Sequence, residues 1–376
     1  METTPDPSPR LQPEDKQAFI KIAGLLTWVI ALMVLVVAVT AYIVVFNPKT
    51  PDLLADAPAT TATAASGPAA GLPDVAGGAV GSKTNFFQPA RFVLDSVKPD
   101  PEGQLIRYGH ELIAHTAHYL GPQVANPALR LAGSNLACQN CHLQAGQKAF
   151  SAPYVGIWGI YPTYKGREDA ISTLEDRING CMTRSLNGRP LPVDGKEMKA
   201  IITYMKWLGR QVPVGEKVKG QGFVKFTMPN REANLGQGKI VFAQQCTSCH
   251  GANGQGRLNG TLAADGYQYP PLWGPDSYND GAGMHRLQTA ARFIKANMPF
   301  GATAEHSILT DDAAYDVAAY INSLPRPRMA HLEKDYPNLK KKPADCPYPP
   351  YADRFTQHQH QFGPYAAMEA GKKGGE

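Results

Sequence analysis

Cys138-Gln139-Asn140-Cys141-His142 is the stretch on which the reading of this chain turns, and it returns as Cys246-Thr247-Ser248-Cys249-His250. Two cysteines separated by two residues can each form a thioether to a haem vinyl group, and the histidine that follows directly is placed to ligate the iron. A single copy also suits half of a zinc site or a thioredoxin-like redox pair. The zinc reading needs two further Cys or His ligands at short spacing, and neither copy has them nearby. Both copies follow a helix-like segment, and the second runs on as Gly251-Ala252-Asn253-Gly254-Gln255-Gly256, a turn whose glycines permit close packing on a porphyrin. The expectation is two covalently bound haem c groups, attached through Cys138, Cys141, Cys246 and Cys249, with His142 and His250 as iron ligands.

Around these motifs the chain has room for two or three domains in its 376 residues, and its 36 glycines and 32 prolines suit small, loop-rich helical domains. The formal charge of +5 is mild, and no Lys/Arg run carries interleaved aromatics, so nucleic acid is not an expected partner. Of six cysteines, Cys181 and Cys346 lie outside the motifs. They are either a disulfide of an oxidising compartment or two thiols with separate tasks.

Upstream, residues 1–21 are polar and read as a cytoplasmic tail. Ile22 to Phe46 carries no charge and, at about 1.5 Å per residue, is long enough to cross the hydrocarbon core as a helix. A cleaved signal peptide would have a shorter apolar region with a small-residue site close behind it. An uncleaved single-span anchor is therefore expected. Because haem is attached covalently on the outer side of the bacterial cytoplasmic membrane, the body of the chain is expected in the periplasm. Residues 47–85, rich in Ala, Thr, Pro and Gly, read as a flexible linker.

The first haem domain is placed at 86–212, a connector at 213–228, the second haem domain at 229–330, and a C-terminal wrap with a disordered tail at 331–376. In the first domain Arg107 to Leu120 has helical spacing, and His110, His115 and His118 on it read as surface or half-buried histidines rather than ligands. Thr173 is a plausible N-cap, followed by Glu175 and Asp176. On the helix it opens, Arg177, Cys181 and Ser185 fall four apart, which sets a thiol between a guanidinium and a hydroxyl on one face. Cys181 reads as a haem ligand, a buried thiol or the partner of Cys346, and Met182 beside it is a rival ligand. Arg167, Arg177, Arg184 and Arg189 suit either a solvated face or haem propionates. Asp194 to Leu208 reads as the closing amphipathic helix, with Tyr204 and Trp207 near the haem. In the second domain Leu235 to Gln245 repeats the order of helix then motif, and a carbonyl of Pro270-Pro271-Leu272 is offered to the His250 ring. A helix ends at Asn297-Met298-Pro299, which presents Met298 as sixth ligand, with Met284 in reserve. Asp311 to Leu324 is the terminal helix.

Taken together, the two motifs, Arg177-Ile178-Asn179-Gly180-Cys181-Met182-Thr183-Arg184-Ser185, and Asp345-Cys346-Pro347-Tyr348-Pro349-Pro350-Tyr351-Ala352-Asp353 resemble the di-haem thiosulfate dehydrogenases of bacterial sulfur metabolism, from about Phe86 to Pro364. The resemblance implies an all-α chain of two tandem cytochrome c-like domains. It implies His142 and Cys181 as ligands of the first haem, His250 and Met298 of the second, and Arg167, Arg177 and Ser185 as the substrate site. The implied reaction joins two thiosulfate ions into tetrathionate and passes two electrons to a cytochrome or oxidase. Where some members carry lysine before the methionine, this chain has Asn297. Its anchor also departs from the commonly soluble pattern. Two other readings fit the same residues: a membrane-tethered electron carrier without a substrate, and the same site run as a tetrathionate reductase.

Overall fold

A computed structural model describes residues 27, 28, 30–35 and 85–373. The chain divides into a unit of residues 1–77 and a unit of residues 78–376. Residues 27, 28 and 30–35 are helical, and among the described residues no helix is long and apolar enough to cross a membrane. The expected span at 22–46 lies for the most part outside the described residues, as does nearly all of the expected linker.

The larger unit is mostly helical. Helix α1, Pro101–Ala114, starts where the Asp100 carboxylate caps Gly103 N at 2.8 Å and Pro101 fills the first turn. The sequence places one helix from Arg107 to Leu120; instead α1 stops at His115 and a short helix, Thr116–Leu120, follows. The break has a local cause. Thr116 Oγ1 donates to Leu112 O at 2.7 Å and accepts Cys138 N–H at 3.0 Å, so this hydroxyl is used to seat the first motif. Helix α2, Leu174–Arg184, opens with the expected Thr173 cap, and Asp176 returns a bond to Thr173 N at 2.9 Å. Helix α3, Lys196–Leu208, closes the first domain by crossing α1.

That crossing is set by a missing side chain. A Cβ on Gly109 would stand 2.1 Å from Ala200 O and 2.8 Å from the Tyr204 Cβ. In the second domain α4, Leu235–Gln245, α5, Leu287–Asn297, and α6, Asp311–Ser323, repeat the device: a Cβ on Gly238 would stand 2.1 Å from Asp316 O and 2.8 Å from the Tyr320 Cβ. The tandem repeat read from the motifs therefore extends to the helix pair that frames each one. Leu112, Ile113, Met198, Ile201 and Met205 are buried in the first core, and Phe242, Ala291, Ile294, Val317 and Ile321 in the second. Each of these side chains larger than alanine stabilises its core by roughly 1.5–3 kcal/mol.

The chain is not purely helical. Antiparallel β1, Thr163–Lys165, and β2, Ala170–Ser172, put Tyr164 opposite Ile171, and their turn carries Arg167. A second pair, β3, Arg257–Leu258, with β4, Tyr267–Tyr269, follows the second motif. The glycine turn before it is tighter than flexibility alone requires. Gly254 sits at φ 65°, and a Cβ there would fall 2.2 Å from the Trp273 ring.

Two packing expectations are corrected. Tyr204 is fully buried at the α1–α3 crossing, with its hydroxyl donating to Ala145 O at 3.0 Å, and Trp207 stacks on it at 5.9 Å. Neither lines the cavity beside the first motif, because α3 turns Met205 and Ile201 toward it instead. The C-terminal stretch does not end in an unstructured tail through residue 373: Ala366–Lys373 forms α7, docked by buried Met368 and by Gln288 Nε2 donating to Glu369 Oε1 at 2.8 Å.

Candidate active site

Two cavities meet at His142 and Cys181. The first, of about 430 Å³, is walled by apolar side chains of α1, α2 and α3 together with Cys138, Tyr154 and Val218. The second, of about 470 Å³, is cationic: Lys165, Arg167, Arg177, Arg184, Arg286 and Lys341 line it against Glu168 and Asp176. His142, Ala152, Arg177 and Cys181 belong to both.

The motif histidines are prepared as iron ligands by backbone carbonyls. His142 Nδ1 donates to Ala152 O at 2.6 Å, and His250 Nδ1 donates to Pro270 O at 2.8 Å. A carbonyl can only accept, so each contact fixes the tautomer that leaves Nε2 with its lone pair open. Burial also lowers the His250 pKa, against the pull of the Pro270 carbonyl, which favours the neutral, ligating ring. The apolar first cavity, its cysteine and this histidine geometry fit a covalently held haem: Cys138, Cys141 and His142 would hold the first, Cys246, Cys249 and His250 the second.

Cys181 is set across the first cavity by α2. Its Sγ accepts from Arg177 Nη1 at 3.0 Å, one helical turn away. Burial pushes thiols up, as it does for Cys138, to about 11, and Cys141, to about 12. Burial acts on Cys181 in the same direction, but the Arg177 guanidinium, a His142 ring that is protonated and not yet a ligand, and Arg167 outweigh it and bring the thiol down to about 6. It is therefore placed as an anionic sulfur facing the histidine of the attachment motif. Met182, its rival, also lines the first cavity, but it is 2% exposed and packed in the first core. Cys181 and Cys346 are both free thiols, so the disulfide alternative is not formed; Cys346 is buried between Tyr336 and Tyr348.

The arginines separate by role. Arg177 is exposed and lines both cavities. Arg167 comes from the β1–β2 turn, lies 5.9 Å from the Tyr336 ring centre, and its buried Nε has no hydrogen-bond partner among the described residues. Ser185 joins them in the second cavity. Arg184 is instead a clasp, 9% exposed, with Nη1 and Nη2 on the Asp335 carboxylate at 2.8 and 2.6 Å. Arg189 turns outward and donates to Arg130 O at 3.0 Å. His110, His115 and His118 line neither cavity; His110 packs edge-on to Tyr204 at 5.6 Å.

In the second domain Met298 follows α5 with its N–H on Ile294 O at 2.9 Å, and it packs on the same core as Cys246. Met284 packs there too but also faces the cationic cavity. Lys295 is tied to Asp311 at 2.8 Å and to Leu309 O at 2.7 Å, so it is committed to the start of α6. Sequence reasoning did not find Arg286, which brings the second domain into the cavity. It is held by Asp345 through Nε at 2.9 Å, and Asp345 lies inside the quoted C-terminal stretch. That acidic residue was the only signal available.

Residues 131–214 match the family described as SoxA/TsdA, cytochrome c domain, and residues 236–325 match cytochrome c. Two cytochrome c units, each with its complete attachment motif, mean that the chain carries two covalently bound haem c groups. A thiosulfate dehydrogenase from Psychrobacter arcticus is 41% identical over 70% of this chain and 77% of its own length. One from Stutzerimonas stutzeri is 37% identical over 67% and 76%, and one from Allochromatium vinosum 45% identical over 52% and 71%. Among solved structures, the thiosulfate dehydrogenase (TsdBA) of Marichromatium purpuratum in its as-isolated form aligns with a TM-score of 0.57 at 35% identity, covering 63% of this chain and 49% of that one. With the motifs, the helix frame and Cys181 arranged as they are, the chain belongs to the thiosulfate dehydrogenase family.

Proposed function

We propose that this chain oxidises thiosulfate, joining two dianions through sulfur into one tetrathionate and releasing two electrons. The observation that carries the reading is the Cys181 thiol, 3.0 Å from Arg177, at the junction of an apolar cavity with a cationic one. Unit charges of like sign 4 Å apart repel by about 4 kcal/mol under near-surface screening, so two dianions meet only where cations offset them. Arg167 and Arg177 present planar forks to the sulfonate oxygens, and Ser185 offers a hydroxyl beside them.

Bound haem supplies a one-electron acceptor at each site. The Cys181 thiolate forms a sulfur–sulfur bond to the outer sulfur of the first thiosulfate, and two electrons leave that pair of sulfurs. A second thiosulfate attacks the same outer sulfur, forms the central bond of tetrathionate and displaces Cys181 as thiolate, as in thiol–disulfide exchange. The electrons pass from the His250 and Met298 side to a cytochrome or oxidase. Cys181→Gly is expected to abolish turnover with thiosulfate and an artificial acceptor while both haems stay attached. Appreciable activity in that variant would rule the sulfur adduct out.

The uncharged run 22–46 supports placing the chain as a single-pass protein of the bacterial inner membrane, with the haem domains in the periplasm. Full-length chain should sediment with membranes and resist alkaline extraction, and a chain lacking residues 1–46 should not. Equal release of both would remove the anchor.

A further inference from the structure

Both haem sites lean on one short segment, residues 148–152. Ala152 O takes the His142 ring N–H at 2.6 Å. Two residues earlier Phe150 O accepts from Asn297 Nδ2 at 3.1 Å, and Lys148 Nζ donates to Ala302 O at 3.3 Å. Asn297 ends α5 and Met298 follows it, so these two contacts between domains bracket Met298.

The segment is itself firmly held. Phe150 N and Ala152 N donate to Gly220 O and Gly222 O at 2.7 and 2.8 Å, and Ser151 bridges Phe223. Phe150 and Ala152 stand at φ 58° and 50°, a backbone state that side chains other than glycine keep only when their surroundings impose it. Phe223 then lies edge-on to Phe293 of α5 at 6.4 Å. Asn297 is 2% exposed, and its Oδ1 has no partner among the described residues. A buried amide that uses only its donor end is costlier than an aliphatic side chain of the same size. What distinguishes asparagine here is therefore its Nδ2 group, which reaches both Phe150 O and Phe293 O, the latter at 3.0 Å.

We propose that Asn297 is a positioning residue that couples the two haem sites, tying the Met298 limb of the second to the His142 limb of the first through residues 150–152. A change of ligation or oxidation at one site then shifts the other, and the effect is reciprocal because it is a free-energy coupling. One neutral hydrogen bond of this kind alters an equilibrium by about three- to tenfold. The rival role is local: Asn297 only closes α5 through Phe293 O, and its loss is felt in the second domain alone.

The test uses the full chain with both haems and needs no thiosulfate, so it stands apart from the proposed reaction and survives if that fails. Asn297→Leu and Lys148→Met would be titrated at controlled potential with the two haems resolved by EPR, the second assigned by its change in Met298→Gly. The expected result is that both variants retain two haems and that the oxidised-to-reduced ratio of the first haem at fixed potential moves about threefold in each. A first haem that titrates as in the parent chain in both variants overturns the coupling, whatever the second haem does. Should Asn297→Leu fail to hold haem, Lys148→Met alone decides, since among the described residues the one hydrogen bond of the Lys148 side chain goes to the Ala302 carbonyl beyond Met298.

Discussion

Cys138 lines the first cavity, Cys141 the second and Cys181 both, yet the Arg177 guanidinium, with His142 and Arg167, makes the third a different chemical group from the other two. That difference was partly legible, because four-residue spacing on a helix must bring Arg177, Cys181 and Ser185 to one face. So was the Pro270 carbonyl on His250. The matching carbonyl of Ala152 was not, since nothing in Ala152 marks a backbone held at φ 50° to receive a histidine. His285 carries a prediction at this scale. Burial, reinforced by Arg326, outweighs the Asp280 and Asn322 backbone contacts and presses its pKa down to about 4, below the ordinary 6.5. Between those values the folded chain binds fewer protons than the unfolded one, so stability present at neutral pH is lost as the pH falls. Urea unfolding at pH 5 should show about 2 kcal/mol less from this group than at pH 7. His285→Asn should flatten that part of the profile, and parallel profiles for parent and variant would refute the assignment.

Among the helices, legibility followed local signals. The cap at Thr173 and the bounds of α4 were readable because capping residues and period announce them. The start of α1 was readable in principle, from Asp100-Pro101, but the boundary was drawn at Arg107 and so left out buried Ile106. Amphipathic spacing identified α3 as the closing helix but misplaced Tyr204 and Trp207, because a period gives a face and not what covers it. The Gly109 and Gly238 crossings belong to this scale. Gly238→Ala would place a Cβ 2.1 Å from Asp316 O, so α4 and α6 must part, at a cost of about 1–3 kcal/mol. Gly371→Ala in α7, with nothing within 4 Å, is the control and should be neutral or slightly stabilising. Thermal unfolding separates them: equal midpoints would mean that the crossing tolerates a side chain and that the glycine is not what sets it.

Across the whole molecule, the tandem of haem domains could be read from two repeated pentapeptides, whereas the way the C-terminal wrap joins them could not, because its partners lie far away in sequence. Arg184, at the end of α2, is the meeting point: it grips Asp335 of the wrap with two bonds and donates to Gly281 O of the second domain at 3.2 Å. Tyr348 OH donates to the same carboxylate at 2.6 Å, and Tyr336, beside Asp335, gives its N–H to Arg167 O at 2.8 Å. One carboxylate thus holds the first domain, the wrap and, through Arg184, the second domain around the cationic cavity. Asp335→Asn keeps the shape but leaves Arg184 buried without its counter-ion, a loss of about 3 kcal/mol or more. Denaturant unfolding should report that loss while both haems remain attached. Thiosulfate KM should rise as well, because Arg167 and Tyr336 lose the anchor that sets their side of the cavity. Unchanged stability would show that the clasp is not what joins the three parts, and lowered stability with an unchanged KM would show that the wrap holds the fold without shaping the site.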